Sequence, residues 1–345
     1  MISDMEKIDF IVTWVDGNDP IWQKEKNKWM GKDCNLLDDI DGNTDCRYRE
    51  NGLLRYWFRA VEKYAPWVNK VHFVTCGQRP EWLNEAHPKL HLVNHEDYIP
   101  QEYLPTFNSN TIELNFHRIE DLTEHFVLFN DDVFMLRQLS PSFYFRNGHP
   151  VLLTSLKYPR NVRYNTWSRV LFNNYCIVNN SFNIPKSIWE NRTKWFNIKE
   201  LGYKKARRNL MCYLANRTLP VGLYGHVALP HLKSTFQEVW ERHPDVMHQT
   251  SMHKFRSDDQ VNHWLMCAWN QAKGNFYPTN IDKLGRDVLV SPTKVDDICG
   301  LIESNTISQI CVNDSYQNTD PEHCMQEIAR SFDTLLPEKS LYEKF

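Results

Sequence analysis

An α/β fold built on a largely parallel sheet flanked by helices is predicted by three features of the chain. Short apolar runs alternate with amphipathic stretches through about residue 135, the pattern that lays helices on the faces of a parallel sheet. The run Phe126-Val127-Leu128-Phe129 ends in Asn130-Asp131-Asp132. This puts two carboxylates at the carboxyl end of a buried strand, the edge where open α/β sheets bind ligands. The chain of 345 residues, 41% hydrophobic and 13% aromatic, is large enough for one large core or two modest ones.

The elements follow in order. Residues 8–14 read as a first strand, closed by the turn Asp16-Gly17-Asn18-Asp19-Pro20. Lys32 to Asp45 is polar and acidic and reads as a loop. Over 50–64, Leu53, Leu54, Trp57, Phe58, Val61 and Tyr64 recur at helical spacing. Residues 71–75 and 90–93 read as short strands and 111–119 as a helix. Residues 140–225, rich in aromatics, Asn and Arg, show few clean periods and are read as an inserted, substrate-facing subdomain. Helices are predicted at 234–242, at 258–271 with Ser257-Asp258-Asp259-Gln260 as its capping box, and at 319–336. The expected organisation is an N-terminal half of the catalytic domain over 1–139, the insertion over 140–225, and a C-terminal part over 226–345 that completes the site.

A formal net charge of −3 argues against a nucleic-acid binder with a broad basic surface. The nine Cys are dispersed with no CxxC pair, which speaks against zinc ribbons and thioredoxin-like chemistry and for reduced thiols. The N-terminus lacks the pattern of a signal peptide, and no apolar run is long enough to span a bilayer. A cytoplasmic protein is expected, with peripheral attachment to a membrane polysaccharide-assembly complex left open.

Several residue groups could carry chemistry. Two adjacent buried carboxylates are costly unless a cation compensates them, so Asp131 and Asp132 point to a divalent metal holding a diphosphate; the plain alternative is a polar turn. Arg47, Arg49, Asn51 and Arg55 gather near a helix start, where guanidinium forks suit phosphate oxygens. The alternative there is a solvated face, with Arg59 paired to Glu62. Asn108, Ser109 and Asn110 precede a helix bearing His117 and Arg118 and would cap it, or line a polar loop beside the strand end. His226, His231, His243, His248 and His253 crowd into 28 residues without the spacing of a zinc pair. One neutral histidine acting as a general base fits them better. Arg256 is set to meet a phosphate, and Asn313 and Asp314 follow a short apolar stretch from which they could complete an oxygen shell.

Taken together these segments resemble the Stealth family of sugar-1-phosphate transferases. The resemblance rests on Ile8 through Pro20, then Arg47-Tyr-Arg-Glu-Asn51, Tyr64-Ala-Pro-Trp-Val68, Val74-Thr-Cys-Gly-Gln78, Leu104 through Asn110 and Asn130-Asp-Asp132. It continues with Pro230-His231, Ser251 through Arg256, Asp258-Asp-Gln260 and Cys311-Val-Asn-Asp314. Glu50 stands where the family pattern has Asp. The resemblance implies a Rossmann-like or GT-A-like sheet. It also implies transfer of a sugar 1-phosphate from a nucleotide sugar, UDP-N-acetylglucosamine first among candidates, to a glycan hydroxyl, with release of the nucleoside monophosphate. The setting would be bacterial capsule or exopolysaccharide synthesis.

Carried over residue by residue, Trp14, Asp16 and Gly17 become a donor-binding strand end. Asp132, with Asn313 and Asp314, becomes the site of Mg²⁺ or Mn²⁺. Asp131 or His231 becomes the base, and Arg256 with one of Arg47, Arg49 and Arg55 holds the diphosphate. His253 joins the substrate-binding set. A metal-dependent glycosyltransferase releasing UDP, and a catalytically inactive carbohydrate-binding protein, are the competing readings.

Overall fold

A computed structural model describes residues 7–31, 43, 45–156, 166–215, 225–304, 306–314 and 318–344; most of the predicted 32–45 loop lies outside them. Its centre is a five-stranded sheet in the order β3-β2-β1-β4-β8. The strands are β1 (Ile8–Thr13), β2 (Val71–Thr75), β3 (Leu90–Asn94), β4 (His125–Asn130) and β8 (Leu229–Leu232). The first four run parallel and β8 antiparallel, so the predicted α/β class and its parallel sheet are what the chain forms. Near-continuous apolar runs suit strands covered on both faces. Alternation sends Phe10, Val12, Phe73, Val127 and Phe129 to one core and Ile11, Val74, Phe126 and Leu128 to the other.

Strand order positions the site. From β1 the chain steps outward to β2 and β3, then returns to β4 on the other side. Such a reversal leaves a crevice beyond the carboxyl ends of the two strands that flank it. Register levels those ends, with Thr13 beside Asn130 and beside Val74. Past Asp132 the chain enters β5 (Val133–Met135), which pairs antiparallel with β11 (Gln309–Asn313), itself parallel to β10 (Arg286–Leu289). Asp131 and Asp132 therefore sit at the joint between two sheets, and Val312 N donates to Asp132 O at 2.8 Å. A third small sheet joins β6 (Phe145–Arg146), β7 (His149–Leu153) and β9 (Tyr277–Thr279).

Helix Leu54–Tyr64 buries the predicted stripe, with Trp57, Phe58, Ala60 and Val61 fully enclosed. Arg59 does not pair with Glu62. It lies inward, where its Nε and Nη2 donate to the Glu343 carboxylate at 2.8 and 3.0 Å and its Nη1 to Leu336 O at 2.9 Å. The predicted 111–119 helix ends early, at Leu114, and a single 3-10 turn covers Phe116–Arg118. The helix expected from Asp258 begins at Trp264 and runs to Lys273, because the capping box does not form. Gln260 instead donates to Phe255 O and accepts from Asn110, while Ser257 bonds Asp259. Helices Lys233–Arg242 and Pro321–Leu335 match the predicted ones closely. The region 140–225 is largely helical where described, and its helix Thr166–Ser181 shares a core with Trp264–Lys273. Cys76, Cys176, Cys212, Cys267, Cys299, Cys311 and Cys324 are free thiols. Among the described residues no helix is long and apolar enough to cross a membrane.

At the opposite end of the sheet, buried Asp9 ties the entrances of three strands. Its carboxylate accepts from Asn69 Nδ2 at 2.7 Å, Lys70 N at 3.1 Å and Thr123 N at 2.9 Å, and meets His72 Nε2 at 3.1 Å. Burial alone would raise the Asp9 pKa; the bonds from His72, Asn69 and Thr123 outweigh it and hold the group below the ordinary carboxylate range. Because the folded pKa is depressed, Asp9 contributes its full stabilisation above the ordinary carboxylate pKa. That contribution fades as pH falls through the folded value. Asp9→Ala should lower stability by about 3 kcal/mol, since it leaves buried donors without their acceptor. Denaturant melts at neutral and acid pH should show the gap between variant and wild type closing as pH falls.

Candidate active site

The crevice at the ends of β1 and β4 opens into a cleft of about 1060 Å³ floored by Thr13, Trp14, Asn130, Asp131 and Asp132. A second lobe of about 1120 Å³ shares Arg47, Ser109, Glu113, His226 and Arg256 with it and adds Trp167, Val170, Asn262, His263 and Trp264. A smaller extension of about 590 Å³ runs past Arg49, Glu50 and Asn51 to Asn313 and Asp314. The three meet at Arg47.

Electrostatics on the floor are adverse for the bare protein. Burial, then the charges of Asp132 and Glu50, push the Asp131 carboxyl up to about 8. Burial also raises Asp132, opposed by His226. Asp132 Oδ2 accepts from Cys311 Sγ at 3.4 Å, whereas its Oδ1 is buried without a hydrogen-bond partner. An orphaned carboxylate oxygen among mutually repelling acids fits a hard divalent cation. Mg²⁺ is commonly held by one or two carboxylates, with substrate phosphates and water completing its shell. That mode suits this floor, because no group of three or more acidic, His or Cys residues among those described is arranged to hold a metal unaided. Asn313 faces the cleft and its Oδ1 accepts from Arg47 Nη1 at 3.3 Å. Asp314 forms an ion pair with Arg49 through one oxygen and accepts from Asn318 Nδ2 at 3.1 Å through the other, so it anchors an arginine.

The cationic wall is built from two directions. Arg47 lies in the short 3-10 turn Asp45–Tyr48 and Arg49 follows it, and the two are steadied by Asn313 and Asp314. Arg256 is fixed at both ends. Its backbone exchanges hydrogen bonds with the Asn43 side chain at 3.1 and 3.2 Å, and its Nε and Nη2 donate to Ser109 Oγ at 3.2 and 2.8 Å. Ser109 begins the helix Ser109–Leu114, which Asn108 caps by accepting from Asn110 N. Buried Asn110 donates to Gln260 at 2.7 Å, locking the loop that carries Arg256.

Beneath this wall lies Glu113, pushed up to about 7 by burial against the opposing influence of Arg256 and Ser109. His263 Nε2 is 3.8 Å from its carboxylate, and His263 Nδ1 is 3.2 Å from His231 Nε2.

The predicted residues thus divide. Trp14, Arg47, Ser109, Asn110, Asp131, Asp132, Arg256 and Asn313 converge on the main cleft or its second lobe, and Arg49, Asn51 and Asp314 on the extension. His231 lies within β8 among Phe126 and Phe236, wholly buried, and burial holds it at about 3. It is neutral and reaches the cleft only through His263. Asp16 and Gly17 shape the turn after β1. Gly17 N donates to Tyr48 O at 2.8 Å, and a Cβ there would lie 2.2 Å from that oxygen. Asn108 is a buried cap, and Arg55 lies over the Trp82 ring. His117 and Arg118 pack on Trp240 away from the cleft, and His253 bonds Asp259.

Among the cleft residues given no role from sequence are Glu113 on the helix after Asn108, His226, His263 and Trp264 on the second lobe, and Trp167 at its rim. His226 was visible as a member of the histidine cluster. Glu113 shared its helix with His117, but nothing in the spacing said which face turned inward.

Cleft, paired carboxylates and arginine wall define an α/β protein with acidic and cationic groups gathered around one cleft at a sheet switch point. The family models for Stealth protein conserved region 1 and conserved region 2 match residues 6–34 and 47–151. A capsular polysaccharide phosphotransferase WcwK of Streptococcus pneumoniae is 41% identical over 99% of this chain and 100% of its own. The receptor polysaccharide phosphotransferase WefC of Streptococcus gordonii is 37% identical over 98% and 99%. The chain belongs to the Stealth family. Among solved structures, the galactosyltransferase LgtC with donor and acceptor sugar analogs overlaps 96% of each chain at 11% identity and a TM-score of 0.38, too loose a match to bear on activity.

Ser109→Ala removes the acceptor of both Arg256 side-chain bonds. Charge-assisted hydrogen bonds are worth about 1.5–3 kcal/mol, so steady-state turnover in this variant should fall by about tenfold or more. Its thermal melt should stay within a few degrees of wild type.

Proposed function

We propose that this enzyme transfers a sugar 1-phosphate from a UDP-sugar, N-acetylglucosamine the first to try, to a hydroxyl of a glycan acceptor. The reaction makes a phosphodiester and releases the nucleoside monophosphate, in capsule or other cell-surface polysaccharide synthesis. The observation that carries this reading is that Asp131 and Asp132 share one cleft with Arg47 and Arg256, a carboxylate floor and guanidinium groups that suit a metal-bound diphosphate. Full-length relatives that are polysaccharide phosphotransferases support it.

The donor nucleoside lies in the main cleft along Trp14, Tyr48 and Phe107, where aromatic faces and one polar rim suit a base. The diphosphate spans from the carboxylate floor to the arginines. A bound Mg²⁺ or Mn²⁺ would neutralise phosphate oxygens there, with Asp132 and Asp131 its holders and Asn313 beside them. Arg47 and Arg256 bind the non-bridging oxygens and meet the charge that builds as the phosphorus–oxygen bond to the nucleotide breaks.

The acceptor enters the second lobe along Trp167 and Trp264, whose rings pack edge to face with centroids 5.9 Å apart. Its hydroxyl attacks the phosphorus that bears the sugar and gives its proton to His226, the histidine that lines both lobes. The bond from the sugar's anomeric carbon to oxygen stays intact, so configuration is retained. Buried, neutral His231 and His263 support the wall without entering the reaction.

His226→Gln should lower turnover by roughly a hundredfold or more, and Asp132→Ala by about three orders of magnitude, each with a melting curve near wild type. Trp167→Ala should raise the acceptor KM about fivefold while sparing the donor KM. Product chromatography tests the chemistry itself. Acceptor-dependent UMP supports sugar-phosphate transfer, whereas acceptor-dependent UDP means attack at the sugar carbon and an ordinary glycosyltransferase.

A further inference from the structure

Most of the molecule's exposed large apolar side chains fall within residues 166–215. Helix Tyr203–Ala215 carries them in an inverted arrangement. Its inward face is small, with Ala206, Asn209 and Cys212 buried, and Asn209 donates to Thr154 O and Trp195 O and accepts from Leu156 N. Its outward face bears Tyr203, Leu210, Met211 and Leu214, with Tyr203 65%, Met211 56% and Leu214 69% exposed. At 3.6 residues per turn these four and Arg207 fall within an arc of about 100°. Exposed Lys199, Lys204 and Arg207 lie along or beside that arc, and exposed Ile198 precedes it. Residues 166–215 hold nine Lys and Arg against only Glu190 and Glu200, in a chain whose formal net charge is −3. Arg169 and Lys205 are engaged by Asp258 and Asp282, and the segment remains strongly cationic.

We infer that this face is a docking surface for an anionic phospholipid membrane. Aliphatic and aromatic side chains on an exposed helical arc enter the headgroup boundary, and flanking Lys and Arg meet lipid phosphates. Each basic residue near such a surface strengthens binding appreciably. A second copy of the chain is the poorer occupant, because a two-fold contact would set this cationic face against itself. The inference stands apart from the transfer chemistry.

Vesicle flotation of the full-length protein, without donor or acceptor, tests it. The protein should float with phosphatidylcholine–phosphatidylglycerol vesicles and not with phosphatidylcholine alone, and high salt should release it. Lys199→Glu, Lys204→Glu and Arg207→Glu together should weaken partitioning on the order of a hundredfold. Leu210→Ser, Met211→Ser and Leu214→Ser together should abolish flotation with an unchanged melting curve, since all three sites face outward. Absence of flotation with the anionic vesicles, or flotation that neither variant alters, overturns the inference. A dimer in light scattering that the serine variant dissolves, without vesicle binding, overturns it in favour of self-association.

Discussion

Two adjacent carboxylates at the end of a central strand are the constraint around which this molecule is arranged. Asp131 and Asp132 are held half-buried at the cleft floor, by β4 on one side and by the crossing into β5 on the other. Their surroundings supply little relief. One oxygen of Asp132 has a thiol donor, the other has none, and Asp131 is raised far above its ordinary range by burial and its neighbours. Under the proposed function this shortfall is what a bound cation with its phosphate would make good.

The arginines answer the carboxylates because each is held before any substrate arrives. Arg49 is taken by Asp314, Arg47 is steadied by Asn313, and Arg256 is clamped by Asn43 and Ser109. A guanidinium fixed by protein acceptors loses little freedom on binding an anion, which is how preorganised charge lowers a barrier. Behind this wall, burial keeps His231 and His263 neutral.

The sheet and the carboxylate pair were legible because both are local. Apolar runs announce strands, and an acid at the end of one has few places to go. What escaped reading depended on contacts far apart in the chain. Arg59 looked like a surface residue paired to Glu62, and its acceptor, Glu343, stands 284 positions away. Gln260 looked like part of a capping box until Asn110, 150 positions earlier, claimed it. His231 and His226 belong to one cluster, yet pairing with Phe126 across β4 and β8 turns the first into the core, while the second lines the cleft. Region 140–225 defied periodicity for a physical reason, since Tyr203–Ala215 buries Ala206, Asn209 and Cys212 while its leucines and methionine face outward.

The most direct measurement of the central claim is Mn²⁺ binding followed by electron paramagnetic resonance, in the presence of a UDP-sugar and without acceptor, for wild type and Asp132→Asn. The account predicts a protein-bound Mn²⁺ signal in the wild type that the variant loses by at least about tenfold in affinity, with folding unchanged. Equal binding by both proteins, or no binding by the wild type, would contradict the assignment of these carboxylates as the seat of a cation and with it the reading of the cleft.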